Sequence, residues 1–258
     1  MKHSTRFASL FILSSVYISQ TSAALIDRGQ GMIYDDVLNI TWLQDANYAY
    51  SSGYASANAT GSKDGPLYNI QADGKMSWQA AVQWVNNLVF GGFEDWRLPT
   101  IKPLNGSQFT YGNNAKDGSA DYGYNITSTQ SELAYMFNVN LGLESLFTVS
   151  DSVNTNWSLI NDGIIPGTGL IQNLKSYSYW SGTQDSLLSS HSWTFNYMTG
   201  NQTETAMKNS FYAWAVRDGD ISGKQTTQVS EPGALTLLGI VMLVFAARET
   251  KTQYRKKY

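Results

Sequence analysis

The hydrophobic pattern divides this chain into two apolar ends and a body of short segments. Phe7 to Ile18 is one apolar run and Gly233 to Ala247 the other. In the body, Gly31–Tyr34 and Ile40–Leu43 are short apolar or aromatic stretches separated by residues 35–39. That arrangement predicts a hairpin with a longer loop. Residues 44–75 are polar and rich in Ser, Ala, Asn and Gly, and read as a surface loop. Trp78, Ala81, Val82, Val85 and Leu88 then recur at helical spacing behind Ser77 as a cap, with Gly91-Gly92 as the stop. Residues 102–125 form a second polar insertion. Thr129 and Glu132 make a capping-box pattern ahead of Leu133, Met136 and Phe137, which predicts a second helix. After a polar stretch over residues 138–175, strands are expected at 177–183, 192–197 and 211–217, with a turn at Thr199-Gly200-Asn201. The order hairpin, helix, helix, strands predicts an α+β domain. Its two helices pack on an antiparallel sheet whose last strand pairs with the N-terminal hairpin.

The flanks of the two apolar runs give them meaning. Lys2 and Arg6 precede the first, and Thr21, Ser22, Ala23 and Ala24 follow it. This is the layout of a secretory signal peptide cleaved near Ala23 or Ala24; an uncleaved anchor helix would need a longer apolar core. The second run has 15 residues, fewer than the about 20 that cross a hydrocarbon core comfortably. Arg248, Lys251, Arg255, Lys256 and Lys257 follow it, so the basic end is expected on the cytoplasmic side and everything before Glu231 outside. The organisation expected is a signal peptide over 1–23, a domain over 24–220, a linker over 221–228 and a sorting segment over 229–258. The last contains a membrane run at 233–247.

Composition sharpens this picture. The formal charge of −3 is set by the basic ends; residues 24–231 hold 10 basic and 19 acidic residues, a balance of −9. Such a body disfavours nucleic acid and other polyanions as partners. Cysteine is absent, which excludes a disulfide framework, a thiol nucleophile and thiolate metal ligation. The 8 Trp and 16 Tyr sit among Asn, Ser, Thr and Gly, a β-rich and turn-rich exported composition.

Val229-Ser230-Glu231-Pro232, the apolar run and Arg248 with its basic followers resemble the PEP-CTERM sorting signal of Gram-negative bacteria that make exopolysaccharide. Ser230 stands where that signal carries its first Pro. The resemblance implies processing by an exosortase near the triplet, transient anchoring in the inner membrane, and release or transfer to the cell surface.

Six blocks of the body carry a second resemblance. They are Thr41 to Tyr48, Met76 to Ala81, Gly92 to Thr100 (with Asp95-Trp96-Arg97-Leu98-Pro99), Ser131 to Phe137, Tyr179-Trp180-Ser181-Gly182-Thr183, and Ala213 to Arg217 (with Trp214). In this order they resemble the Lcl C-terminal domain family of bacterial surface proteins. The resemblance implies a C-type-lectin-like fold, with two helices on a curled antiparallel sheet and long loop insertions. It also implies cell-surface exposure and, in some members, adhesion to glycans; it implies no catalytic residues. Two departures stand out. The acidic body does not match binding of sulphated polysaccharide, and the Glu-Pro-Asn, Gln-Pro-Asp and Trp-Asn-Asp triplets of calcium-dependent sugar binders are missing.

The candidate chemistry is weighed residue by residue. Asp95, Trp96, Arg97, Pro99, Glu132, Trp180, Trp214 and Arg217 are expected to be structural, with Arg97 tying loops together through Asp95 or Glu132. Most of Trp180, Trp193, Phe195, Tyr212 and Trp214 are expected in the core. An exposed Trp or Tyr would be the exception that binds sugar. His191, the only His outside the leader, is expected in a solvated turn. Asp151, Asn154, Asn156, Asn161 and Asp162 form an oxygen-rich stretch that suits Ca²⁺ but is equally a set of turn residues; no other cofactor is expected. The function expected is an exported, exosortase-sorted surface or matrix protein that binds polysaccharide or another matrix component without catalysis. The alternative is a polysaccharide hydrolase using paired carboxylates, Asp95 with Glu132 or Asp151 with Asp162.

Overall fold

The computed structural model describes residues 25–60, 67–111, 114–157 and 170–222. The chain divides into two units, residues 1–220 and 221–258. All the elements below belong to the first, and only residues 221–222 of the second are described. The leader, nearly all of the linker, and the sorting residues Val229, Ser230, Glu231, Pro232 and Arg248 lie outside the described residues. So do Asn161 and Asp162. Among the described residues no helix is long and apolar enough to cross a membrane.

The architecture is mostly β, with two antiparallel sheets and few helices. The first sheet has strands β1 (Leu25–Asp27), β2 (Met32–Asp35), β3 (Ile40–Leu43) and β7 (Val216–Asp218) in the order β1-β2-β3-β7. The predicted hairpin is β2–β3, with Ile33 opposite Trp42. The last strand does close on it, with Thr41 opposite Arg217. The second sheet is β4 (Ser178–Gln184), β5 (His191–Asn196) and β6 (Asn201–Ala206). The one sheet expected from the pattern is thus two sheets. One strap links them: Tyr212 exchanges backbone hydrogen bonds with Ser178 and Trp180 of the second sheet, and the same segment then enters the first as β7. The alternating run 211–217 is therefore a strap that changes partner, and only its end is strand.

The helices are shorter than their patterns. Helix α3 (Trp78–Asn86) buries Ala80, Ala81, Trp84 and Val85. It ends with Asn87 as cap, ahead of Gly91-Gly92. Ser77 precedes it as expected, but its Oγ accepts from the Asn69 N–H instead of from the helix. Helix α4 (Glu132–Tyr135) is capped by Ser131, whose Oγ accepts from the Ala134 N–H; Thr129 takes no part as a cap. It continues as a π-helical turn, Met136–Asn140. The described parts of the stretch 44–75, residues 44–60 and 67–75, hold more regular structure than their polarity suggests. They contain α1 (Tyr48–Ser51) and α2 (Tyr54–Ala57), and bury Ala46, Ala49, Ala55 and Ile70 completely.

The core lies where the strap meets both sheets. Trp42 and Trp214 tilt together at 4.6 Å, and Tyr179 and Tyr197 meet edge-on at 5.1 Å. Trp193, Phe195 and Tyr197 are all fully buried, as alternation predicts, and Ser192 and Thr194 on the opposite face are buried too. Burial pushes the Tyr179 and Tyr197 hydroxyls well above their usual value. Both are satisfied: Tyr197 donates to the Leu133 carbonyl at 3.1 Å, and Tyr179 accepts from the Lys175 N–H at 2.7 Å.

Candidate functional site

The six sequence blocks lock into one another. Buried Trp indoles favour a hydrogen-bond acceptor, and three of the block indoles find backbone carbonyls in other blocks. Trp214 Nε1 donates to Leu43 at 2.6 Å, Trp180 to Met76 at 2.8 Å, and Trp78 to Ser181 at 2.8 Å. Gly182 N–H donates to the Pro99 carbonyl at 2.8 Å. Trp96 stays local, reaching the Phe90 carbonyl at 3.3 Å. Arg97 and Val216 exchange two backbone hydrogen bonds, and across that bridge the side chains cross over. Arg217 forks onto Asp95 at 2.8 and 2.7 Å, while Arg97 reaches Asp218 at 2.6 and 3.0 Å. Arg97 also forks onto both oxygens of Glu132 at 2.8 Å. Glu132 Oε2 accepts from the Thr100 N–H as well.

Of the two partners expected for Arg97, Glu132 is therefore the one found, and Asp95 belongs to Arg217. Burial by itself would lower the Arg97 pKa. The hydrogen bonds and charge of Glu132, then those of Asp218, override it and raise it further. Arg217 is nearly buried and also lies 4.1 Å over the Phe93 ring. Asp95 and Glu132, the carboxylates of the hydrolase alternative, are each bidentate to their own arginine.

Of the oxygen-rich loop, Asp151, Asn154 and Asn156 are described. Asn154 donates to Glu144 and to the Ser145 carbonyl, and its own Oδ1 accepts from the Asn156 N–H. Asp151 sits in a left-handed turn with φ +59° and lines a shallow groove with Asn114, Lys116 and Asp117. Ser119 bonds hold the exposed Asp117 carboxyl below the usual carboxylate range. Among the described residues no three His, Asp or Glu side chains gather as metal ligands. His191 is not in a turn. It opens β5, half-buried, with Nδ1 against Glu204 Oε2 on the neighbouring strand.

A separate cleft lies between α1, α2 and the C-terminal end of α3. It has a volume of about 450 Å³ and is lined by Tyr48, Ser52, Gly53, Tyr54, Ala57, Asn58, Trp84, Asn87, Leu88 and Val89. No Asp, Glu, Lys, Arg or His is among them. Gly53 joins the two short helices at φ +80°, and a side chain built there would meet open space. Trp84 is buried at the helix face, whereas Tyr48 and Tyr54 are half-exposed. Tyr48 is braced edge-on by Phe90 at 5.0 Å, and Phe90 by Trp96 at 5.9 Å. Burial and a hydrogen bond with Tyr68 push the Tyr54 hydroxyl up to about 12. The cleft was not legible in the sequence because one of its walls, Tyr48 to Asn58, lies in a stretch read as loop. The available signal was Ala46, Ala49 and Ala55, small apolar residues hidden among polar ones.

Comparison with known proteins agrees with the interlocked blocks. The family described as the Lcl C-terminal domain matches residues 31–217. No curated protein and no solved structure matches the chain. The match covers most of the chain and all six blocks, so this protein belongs to the Lcl C-terminal domain family.

Proposed function

We propose that this is an exported surface or matrix protein of a Gram-negative bacterium, a non-catalytic module that binds extracellular polysaccharide or another matrix component. The observation that carries the reading is the distribution of polarity: two apolar, positively flanked ends enclose a cysteine-free body of 10 basic and 19 acidic residues. On this reading residues 1–23 are removed on export, and the 229–258 segment holds the protein briefly in the inner membrane. An exosortase then processes it near Ser230-Glu231-Pro232. The domain over 24–220 is taken to be a C-type-lectin-like fold, whose framework of short sheets carries long loops.

The interlocked motif residues support the non-catalytic part. Asp95, Arg97, Glu132 and Arg217 are engaged with one another, and the buried indoles of Trp180 and Trp214 with backbone. The acidic balance supports a neutral partner over a polyanionic one. Co-sedimentation of the secreted protein with the producer's own exopolysaccharide tests the reading. The protein is expected in the polysaccharide pellet at physiological salt. Full recovery in the supernatant, with no retention on any glycan at millimolar concentration, would remove the binding function.

A further inference from the structure

We propose that the cleft between α1, α2 and the end of α3 is the binding site for uncharged sugar units of a polysaccharide. This deepens the functional reading above and rests on it. Three observations point to this ligand class. First, among the described residues the lining is free of ionic side chains, in a body whose net charge is strongly negative. An anionic sugar would meet no counter-charge there and would be repelled at long range. Second, the cleft pairs aromatic surface with polar groups. Tyr48 and Tyr54 offer half-exposed rings, while Ser52, Asn58 and Asn87 stand exposed around them. A pyranose needs both: its C–H face packs on an aromatic ring, and its equatorial hydroxyls take and give hydrogen bonds with amides and hydroxyls. Third, the rings are held before any ligand arrives. Tyr48 is braced through Phe90 to Trp96, and Tyr54 is half-buried beside Tyr68. Ordering costs on binding are correspondingly small.

The volume of about 450 Å³ falls within the about 300–1,000 Å³ of small-ligand clefts, and its open form suits a stretch of chain over a buried monosaccharide. Ala57 and Val89 are exposed lining positions outside the core.

The test uses neutral gluco-, manno- and galacto-oligosaccharides, with acidic oligosaccharides alongside, titrated to millimolar concentration into the full secreted protein and followed by calorimetry and by Trp fluorescence. Two variants accompany it: Ala57→Trp, which fills the cleft from an exposed helix position, and Asn87→Ala, which removes an amide. Circular dichroism and Tm establish that both remain folded. The wild type is expected to bind at least one neutral series, Ala57→Trp to weaken it more than tenfold, and Asn87→Ala to weaken it several-fold. Unchanged affinity in folded Ala57→Trp overturns the site while leaving the module reading intact. Binding of acidic oligosaccharides only overturns the ligand class. Binding of no glycan at all overturns the module reading itself.

Discussion

Replacing Arg97 by methionine removes the guanidinium that ties the 95–99 segment, α4 and β7 together. The loss has two unequal parts. Asp218 is 78% exposed in its side chain, so that pair contributes about 0–1 kcal/mol. Glu132 is only 10% exposed. Without Arg97 its carboxylate keeps one backbone donor, the Thr100 N–H, and is otherwise stranded. Stranding a buried charge costs about 3–5 kcal/mol, and the 28% exposure of Arg97 lets water reach the site and favours the lower end. The expected destabilisation is therefore about 3 kcal/mol, a fall in Tm of roughly 6–12 °C for a domain of this size. A second substitution, Glu132→Gln, neutralises the stranded group while leaving an oxygen for Thr100. In the double variant it should recover about 2 kcal/mol of the loss, a coupling measured by urea unfolding of the four proteins of the cycle. A loss below about 1 kcal/mol for Arg97→Met, or simple additivity with Glu132→Gln, would refute the reading of this pair as a buried, mutually dependent unit.

Two further predictions concern the core. Asp35 is fully buried; burial raises its carboxyl above the ordinary 3.8, against the lowering effect of bonds from Leu38, Asn140 and Val37. A raised folded value means that its stabilising contribution is complete below pH 3.8 and declines as pH rises through the folded pKa. Asp35→Asn keeps the acceptor for the Val37 and Leu38 N–H groups, and turning over the Asn140 amide gives the new amide a partner. The stability of this variant relative to wild type should therefore grow between about pH 4 and pH 7 in urea unfolding; a difference independent of pH would contradict the assignment. Trp42 and Trp214 tilt against each other, but only Trp214 donates to a carbonyl, while Trp42 Nε1 has no hydrogen-bond partner among the described residues. Trp214→Phe should cost about 1 kcal/mol more than Trp42→Phe, and equal losses in thermal unfolding would show that the indole bond contributes nothing.

The parts of the fold legible in the sequence are those where runs of large apolar side chains are buried. The β2–β3 hairpin, the closing of β7 on it and the apolar face of α3 all carry large side chains at regular spacing. The 44–75 stretch was not legible, because α1 and α2 bury alanines, which give little contrast against Ser and Asn. Helices of four residues are also set by tertiary contact, not by their own periodicity. Strand β6, Asn-Gln-Thr-Glu-Thr-Ala, has no hydrophobic pattern; its backbone pairing with β5 makes it a strand. The run 211–217 carries a strand's alternation but switches between two sheets, and alternation reports buried faces without naming the partner.

The site divides the same way. Arg97, Glu132, Asp95 and Arg217 announce ion pairs by type, but which pairs with which depends on the Arg97–Val216 register, known only once the strap is in place. The cleft needs three elements brought together from residues 48–89, and none of its side chains is unusual by itself.

The central claim is that this protein works beyond the cytoplasmic membrane. Mass spectrometry of the termini of the native protein, recovered separately from cytosol, membranes and medium, tests it most directly. The account predicts a mature N-terminus near Ala23 or Ala24, a membrane pool that retains the 229–258 segment, and an external pool cut near Ser230-Glu231-Pro232. A full-length chain, beginning at Met1, ending at Tyr258 and confined to the cytosol, would contradict it.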